Sequence, residues 1–259
     1  MLRFCANISL MFTEVPMLER PAAARRAGFT GVEILSPFDH PAEDWARACR
    51  QAGVEVANFN APIGDREKGE LGFAGLPNRT EDFRESVRTA LRYAEVMGAK
   101  RVTVHAGTVP LGGSRDDCLA VLPGNLEWAA ELFGRAGITC MTEALNSVDR
   151  PTALLHWTHE ALAAVRRSGH PRLKIEADVY HMAVMGEDIP AILDGDRDDI
   201  AHVQFADFPG RHEPGTGQVD FPEIFATLEE SGYKGWVSAE YVPSGRTEDS
   251  LGWYEPYRA

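Results

Sequence analysis

The feature that most constrains the fold is a regular alternation of short β-rich runs with helical segments along 259 residues. The runs are rich in Val, Ile and aromatic residues, which favours strands. The segments between them, such as 81–97 and 126–136, carry apolar residues at helical spacing. Glycines follow the helical segments and precede the strands, as is typical of helix ends. The eight runs are LRFCANI (2–8), GVEIL (31–35), VEVANFN (54–60), RVTVHAG (101–107), ITCMTEA (138–144), LKIEADV (173–179), IAHVQFAD (200–207) and GWVSAEY (235–241). The glycines are Gly28, Gly53, Gly98, Gly137, Gly169, Gly195 and Gly232.

Strands that alternate with helices form a parallel sheet, and eight such units predict an α/β protein with a closed (β/α)₈ TIM barrel. The competing architecture is an open doubly wound sheet, but the first strand-to-helix turn has no GxGxxG. No linker, low-complexity tract or composition break divides the chain, so we expect one domain over residues 1–259. The longest connection, 61–80, follows the third strand, where a barrel places it over the active face.

Composition excludes some partners and favours a compartment. Lys and Arg number 26 against 39 Asp and Glu, a net charge of −13, which argues against nucleic acid or an anionic membrane as partner. The first residues read as a strand rather than a signal peptide, and no apolar run is long enough to span a bilayer. The four cysteines lack CxxC spacing and are predicted to be reduced thiols of a soluble cytoplasmic protein. The sequence is compatible with a homo-oligomer but does not indicate one. The cysteines are Cys5, Cys49, Cys118 and Cys140.

Polar residues interrupt the last four predicted strands near their carboxyl ends. Side chains alternate between the two faces of a strand, so in 173–179 Ile175 and Ala177 oppose Asp178. In a barrel the apolar face meets the helices and the other face points inward. The parity therefore predicts one inward ring at the catalytic mouth, made of Glu143, Asp178, Gln204 and Glu240.

This ring is best explained by a metal ion. Each residue alone could be a polar side chain wetted at a strand end, but three carboxylates in one ring repel unless a cation neutralises them or some are protonated. All the ligands would be oxygen atoms, with Gln204 offering its amide carbonyl. Hard oxygen ligands favour Mg²⁺ or Mn²⁺ over zinc or copper.

Other polar residues lie near the ring in the sequence. His181 and Arg211 follow two of the ring residues on loops that leave the mouth, and His105 ends the fourth strand. We expect these three to contact substrate rather than to be solvated surface groups. Glu33 and Glu176 are inward and lie either beneath the ring or in buried ion pairs. Residues expected to fix or shape the loop after the seventh strand are Glu213, Pro214, Gly215, Gly217 and Gln218.

Five segments of the chain are distinctive: ANISLMFTEVPMLERPAAARRAGFTGVEIL, GDREKGELG, HVQFADFPGRHEPGTGQVDF, GWVSAEY and LGWYEPYRA. In these segments the chain resembles the hydroxypyruvate isomerase family, which includes the 2-oxo-tetronate isomerases and belongs to the xylose-isomerase-like barrels. The resemblance implies a divalent metal on the ring, Glu143 and Glu240 as acid and base, and His181 and Arg211 near the substrate.

The chain departs from the family at two cations. Leu71 stands where the family often has the arginine of GERG, and Val242 stands where it has the lysine of EYKP. These positions therefore do not identify the group that holds an acidic substrate's carboxylate.

The resemblance implies an isomerase that moves a carbonyl along a small α-hydroxycarbonyl acid, either hydroxypyruvate or a 2-oxo-tetronate, through an enediolate. A 3-epimerase of free ketoses would use the same ring and return the proton to the same carbon. A metal-dependent phosphodiester hydrolase would need a basic groove, which the net charge disfavours. A non-catalytic sugar-binding barrel is the remaining alternative.

Overall fold

The computed structural model describes residues 1–258, and these residues form the predicted parallel barrel. The domain prediction ends at Ala259, which lies outside the described residues. Every predicted strand is present, within shorter bounds than the β-rich runs. The strands are β1 (Arg3–Asn7), β2 (Gly31–Ile34), β3 (Glu55–Phe59), β4 (Arg101–Thr103), β5 (Thr139–Glu143), β6 (Leu173–Asp178), β7 (Ile200–Phe205) and β8 (Trp236–Ala239).

The sheet order follows the chain and joins β1 to β8, so the strands curl into a ring. The seam lies between β3 and β4, which share a single parallel bridge between Asn60 and Thr103. There the Ala61 amide donates to the Thr103 carbonyl at 2.8 Å, and Asn58 Nδ2 donates to Thr103 Oγ1 at 3.1 Å. Side chains therefore reinforce the closure where the strand ladder is short.

Eight helices surround the strands. The predicted segment 81–97 matches α3, whereas 126–136 is only the end of a longer helix, α4. That helix begins at Arg115 because the Ser114 side chain accepts from the Asp117 amide, and it contains Pro123. The helices are α1 (Arg20–Arg26), α2 (Ala42–Ala52), α3 (Thr80–Met97), α4 (Arg115–Arg135), α5 (Thr158–Ser168), α6 (Val179–Met185), α7 (Ile189–Gly195) and α8 (Phe221–Glu230).

After β8 the chain forms two 3₁₀ helices, Thr247–Ser250 and Gly252–Tyr257. The second packs its aromatic residues on the outside of the barrel: the Trp253 ring lies 5.4 Å from Phe4 and 5.0 Å from Phe205. Edge-on aromatic contacts of this kind bury large apolar surfaces.

Six of the seven glycines expected after helices have positive φ, as predicted. Gly195 is the exception, because it is the last residue of α7 and the chain continues through Asp196 into the 3₁₀ helix Arg197–Asp199. No left-handed residue is needed for that connection.

The barrel interior is filled in layers. Its floor is an apolar cluster of Cys5, Ala57 and Trp236, and the Arg3 guanidinium lies 4.0 Å from the centre of the Trp236 ring. Gly31 provides the space for this indole, since a Cβ there would lie 2.7 Å from it. Polar side chains form the layers above, so the chemistry is confined to one end of the barrel.

All four cysteines are buried free thiols, as predicted. Within residues 1–258, no helix combines the length and the apolar character that crossing a membrane requires.

The close approach at the floor predicts a stability defect for Gly31→Ala. The added methyl overpacks against Trp236 and should reduce the free energy of unfolding by about 1–3 kcal/mol in urea titrations. Gly124→Ala is the matched control: this helical glycine has open space around its Cβ position, so the same change should be neutral or stabilising. If Trp236→Phe does not relieve part of the Gly31→Ala defect, the indole is not its cause.

Candidate active site

The structure brings the four predicted ring residues together at the carboxyl ends of the strands. Glu143 ends β5, Asp178 ends β6, Gln204 lies in β7 opposite Asp178, and Glu240 follows β8. All four side chains are buried. Glu143, Gln204 and Glu240 line a cavity of about 440 Å³, and Asp178 lies at its edge, in contact with two residues that line it.

The ring concentrates negative charge. Burial raises the pKa of Glu143 well above its usual value, and the neighbouring Asp178 and Glu240 carboxylates raise it further. Burial also raises the pKa of Glu240, although Arg211 opposes the shift. Three ionised carboxylates and this one guanidinium would leave a net charge of −3 + 1 = −2. The ring therefore needs either protons or a cation of matching charge.

Gln204 is oriented to receive a cation. Its Nε2 donates to Glu33 Oε1, and the second oxygen of Glu33 accepts from His202 Nε2 at 2.9 Å. Because a carboxylate can only accept, the amide nitrogen must face Glu33 and the amide oxygen must face away. Gln204 Oε1 is buried without a hydrogen-bond partner in residues 1–258. A buried carbonyl oxygen without a donor, beside three carboxylates, fits a hard divalent cation such as Mg²⁺ or Mn²⁺.

His181 lies in α6 and not in a loop, which corrects the expectation from the sequence. The helix begins directly after the strand because Asp178 Oδ1 accepts from the Tyr180 amide at 2.8 Å. The possible ligand atoms of Glu143, Asp178 and His181 lie within 4.8 Å of one another. His181 Nδ1 accepts from the Asn146 amide at 3.2 Å, so the proton is on Nε2. His181 is therefore a donor aimed at the carboxylates rather than a metal ligand.

His105 lies two residues beyond β4 rather than at its end, and it lines the cavity. Its Nδ1 is 3.7 Å from Glu143 Oε2. Burial and the neighbouring cations, which include Arg66 and Arg150, lower the pKa of His105 to about 4. Burial likewise lowers the pKa of His181 to about 4. Both imidazoles are therefore neutral at neutral pH and contribute hydrogen bonds rather than charge.

Arg211 lies on the loop after β7, as predicted, with φ of 57°. Its Nη2 is 3.0 Å from Glu240 Oε2 and 3.4 Å from Asp178 Oδ2, and the guanidinium stacks on Tyr180 at 4.7 Å. Burial would lower the pKa of Arg211, but the Glu240 and Asp178 carboxylates raise it above its usual value. The guanidinium thus remains charged and braces two residues of the ring while lining the cavity.

Asp207 organises this loop, a role that sequence analysis did not identify. Its buried carboxylate accepts from the amides of Phe208, Gly215, Gly217 and Val219 at 2.8–3.1 Å. The signal was available, since a buried strand ending in Asp before a Gly/Pro-rich loop is typical of a carboxylate that caps backbone amides.

Glu213 fixes the same loop, as expected, by accepting from the Ser244 amide at 3.0 Å. The exposed Gln218 takes part through its backbone amide, which donates to the Phe208 carbonyl at 2.7 Å.

Glu33 and Glu176 lie beneath the ring in a buried polar layer. Glu176 Oε1 accepts from Asn58 Nδ2 at 2.7 Å, and burial, Glu143 and Glu33 raise its pKa. His202 lies between the two glutamates, 2.9 Å from Glu33 and 3.9 Å from Glu176. Cys5 is close to Glu33 and His202, but burial raises the pKa of its thiol, which keeps it protonated. This layer lies directly below the ring and supports it through these hydrogen bonds.

Three further residues near His181 were missed by the parity argument because they lie outside the strands. Asp149 accepts from Asn146 Nδ2 and from the Tyr180 hydroxyl, both at 3.0 Å. These contacts hold the loop after β5 against α6. Asn146 and Asp149 follow β5, and Tyr180 lies in the first turn of the helix after β6. A position just after the carboxyl end of a barrel strand could have indicated that these residues lie near the active site.

A larger groove, of about 690 Å³, lies at the amino ends of the strands. It contains none of the ring residues, and most of its charged lining residues are cations. The charged groups are Arg101, Arg172, Lys174, Arg197, Asp198 and Lys234.

Because the Asp207 carboxylate accepts from four backbone amides, we predict that Asp207→Ala loosens the loop after β7. The substitution removes the acceptor of four backbone amides on half-buried or exposed residues and should cost about 1–3 kcal/mol in the free energy of unfolding. It should also expose residues 208–219 to limited proteolysis. Glu223→Ala, an exposed acidic residue at the start of α8, is the control and should change neither measurement. Unchanged cleavage of 208–219 in Asp207→Ala would contradict the anchoring role.

Similarity to known proteins identifies the family of this chain. The family model described as xylose isomerase-like TIM barrel matches residues 21–257. The chain is 39% identical to the 2-oxo-tetronate isomerase of Pectobacterium atrosepticum, covering 98% of this chain and 97% of that protein. It is 38% identical to the hydroxypyruvate isomerase of Escherichia coli over the full length of both. A solved structure from Brucella melitensis, described as AP endonuclease, family 2, superposes with a TM-score of 0.97 at 38% identity and full coverage of both chains. The chain therefore belongs to the xylose isomerase-like TIM barrel family and, within it, to the hydroxypyruvate isomerase family of enzymes.

Proposed function

We propose that this protein interconverts the carbonyl position of a small α-hydroxycarbonyl acid, such as hydroxypyruvate and tartronate semialdehyde or a 2-oxo- and a 3-oxo-tetronate. The observation that carries the proposal is the pair Glu143 and Glu240, two buried carboxylates with raised pKa that line one cavity. The names of the full-length relatives support the same reaction type.

The reaction requires a base and an acid on neighbouring carbons. One glutamate takes the proton from the hydroxyl-bearing carbon, and the other returns a proton to the adjacent carbon after the enediolate has formed. The hydroxyl proton passes to the former carbonyl oxygen, so the substrate gains and loses the same number of protons. In the reverse direction the two exchange roles. A raised pKa brings a carboxyl group closer to neutral pH, where it can carry a proton in one step and release it in the next.

Other residues of the site position the reacting atoms. His181 Nε2–H, 3.5 Å from Asp178 and 3.8 Å from Glu143, can donate to a substrate oxygen that enters between these carboxylates. Arg211 keeps Glu240 and Asp178 in place through Nη2. The neutral His105 provides a further polar contact on the cavity wall. The 61–80 connection contributes Ile63, Gly69 and Leu71 to the cavity wall.

The residues that would hold a divalent cation are Glu143, Asp178, Gln204 and Glu240. Bound there, Mg²⁺ or Mn²⁺ supplies Lewis-acid stabilisation of the negative charge that develops on the two substrate oxygens. The acid and base remain the two glutamates, because the amide of Gln204 cannot accept a proton and Asp178 is already engaged by the Tyr180 amide and Arg211.

The structure disfavours a nuclease. A phosphodiester hydrolase needs an extended basic groove that leads to its catalytic ring. The groove with five cations lies at the opposite end of the barrel, and the active-site cavity itself is lined by three arginines. A 3-epimerase of free ketoses shares the ring chemistry and differs only in where the proton returns.

A substrate panel tests the proposal directly. Hydroxypyruvate, 2-oxo-tetronates and neutral tetroses to hexoses are supplied with Mg²⁺ or Mn²⁺, and the products are identified by NMR. The proposal expects a carbonyl shift in the acids. Epimerisation of ketoses without turnover of the acids would contradict the isomerase proposal and favour the 3-epimerase. No turnover of any compound would favour a non-catalytic binding barrel.

Metal dependence provides the next prediction. Mn²⁺ or Mg²⁺ should raise the Tm of EDTA-treated protein, since a ligand that binds only the native state stabilises it. Asp178→Asn should remove most of that rise. Glu176→Gln, one layer below, is the comparison variant and should retain most of the metal-induced shift. If neither the Tm nor the activity changes on EDTA treatment or on readdition of the metal, the ring does not bind a metal.

The acid–base pair predicts the effect of removing either proton carrier. Glu143→Gln and Glu240→Gln keep an oxygen ligand but cannot exchange a proton, so kcat should fall about a hundredfold or more in both reaction directions. Metal content, measured on the same samples, separates lost chemistry from lost binding. Near-wild-type turnover in either variant would rule out the two-glutamate mechanism.

A further inference from the structure

Three arginines line the active-site cavity, and they differ in their partners. Arg211 is bonded to Asp178 and Glu240 in the ring. Arg66 and Arg150 lie on the rim, in the 3₁₀ helix Arg66–Lys68 and in the loop after β5. Within residues 1–258, neither of these two guanidiniums makes a hydrogen bond or an ion pair.

Among the described residues, no carboxylate pairs with either arginine. Next to Arg66, Asp65 pairs with Lys68 at 2.9 Å, and Glu70 pairs with Arg79 at 2.7 Å, while the exposed Glu67 makes no ion pair with it. Next to Arg150, Asp149 accepts from Asn146 and Tyr180. The rim thus presents two cations that are not neutralised by a neighbouring carboxylate.

The backbone at both positions is held in place. The Arg150 amide donates to the Asn146 carbonyl at 3.1 Å, and its own carbonyl accepts from Ala153 at 3.0 Å. The Arg66 carbonyl accepts from Gly69 at 3.0 Å, and Asp65 caps the turn through the Glu67 amide at 3.0 Å. Long side chains on fixed turns can reach into the cavity without disordering the loops that carry them. Both side chains line the cavity together with His105.

The cavity therefore has negative charge at its base and positive charge at its rim. The ring at its base is acidic, and the rim carries two unpaired guanidiniums, whose planar fork matches a carboxylate. A substrate carboxylate is repelled by the ring and attracted to the rim. Leu71 and Val242, which replace the family's cations, line the same cavity and offer no charge.

We infer that Arg66 and Arg150 form the carboxylate-binding subsite and make the cavity selective for anionic over neutral α-hydroxycarbonyl compounds. The inference rests on the proposed function for its substrate. Binding of a non-reacting dianion tests the subsite separately.

The kinetic test uses Arg66→Met, Arg150→Met and the double variant, with hydroxypyruvate and with the neutral ketose erythrulose. Each single change should raise KM for the acid about tenfold, and the double change should raise it further, since a charge-assisted hydrogen bond contributes about that much to affinity. The kcat for the acid and the KM for the ketose, wherever it is turned over, should stay within about twofold. Arg150→Lys should recover part of the loss.

Arg167→Met is the matched control. This exposed arginine lies in the last turn of α5, outside the cavity, and its replacement changes the net charge by the same amount. It should leave every kinetic constant unchanged. An equal rise in KM in this variant would assign the effect to overall charge and overturn the subsite.

The binding test measures tartronate, a dianion that cannot isomerise, by calorimetry on metal-loaded protein. Weaker tartronate binding in the two rim variants, with wild-type binding in Arg167→Met, supports the subsite even if no turnover is found and the proposed function fails. Turnover of hydroxypyruvate with an unchanged KM in the double variant overturns the subsite and leaves the proposed function standing. Absence of both binding and turnover in the wild type contradicts both.

Discussion

Three carboxylates face one another inside the barrel, and much of the site is arranged around their repulsion. Ligand atoms of Glu143 and Asp178 lie within 4.8 Å of each other, a separation at which two like charges repel by roughly 3–4 kcal/mol in a protein-like dielectric. Arg211 offsets part of this by contacting Asp178 and Glu240. Burial, and then the repulsion that remains, raises the pKa of both glutamates. A cation bound at the ring would relieve the same repulsion.

Hydrogen bonds from the layer below and from neighbouring loops decide which atoms face the cavity. Glu33 holds the nitrogen of Gln204 and leaves its oxygen free, and Asn146 occupies Nδ1 of His181 and leaves Nε2–H free. Each contact turns a side chain with two chemical faces into one with a defined role, acceptor for Gln204 and donor for His181. The apolar floor around Trp236 closes the barrel below, so the polar layers are accessible from one end.

Sequence analysis predicted the parts of this arrangement that depend on periodicity. Alternating strands and helices predicted the barrel, and strand parity placed Glu143, Asp178, Gln204 and Glu240 on one inward face. The structure brings these four together, while their roles as ligands and proton carriers stay predictions. His181 was placed in a loop because nothing in the run 173–179 shows that Asp178 caps a helix at once.

The residues that sequence analysis missed depend on contacts between distant segments or on loop conformation. Asp207 bonds amides up to twelve residues away, and a Gly/Pro-rich loop has no period from which that path can be read. Arg66 and Arg150 belong to connections that parity does not describe, so only the folded chain shows that both line one cavity.

The residues at strand ends and the residues in loops have different roles in the site. Strand ends are rigid and hold the ring where reacting atoms need fixed positions, whereas loops carry the groups that contact the rest of the substrate. A cation on the rim can therefore be supplied by any of several loops without a change in the ring. Arg66 and Arg150 in this chain lie in such connections and line the same cavity as the uncharged Leu71 and Val242. Reaction type would then follow from the strands and substrate charge from the loops, because the electrostatic requirement is a cation on the rim rather than a cation at one particular position.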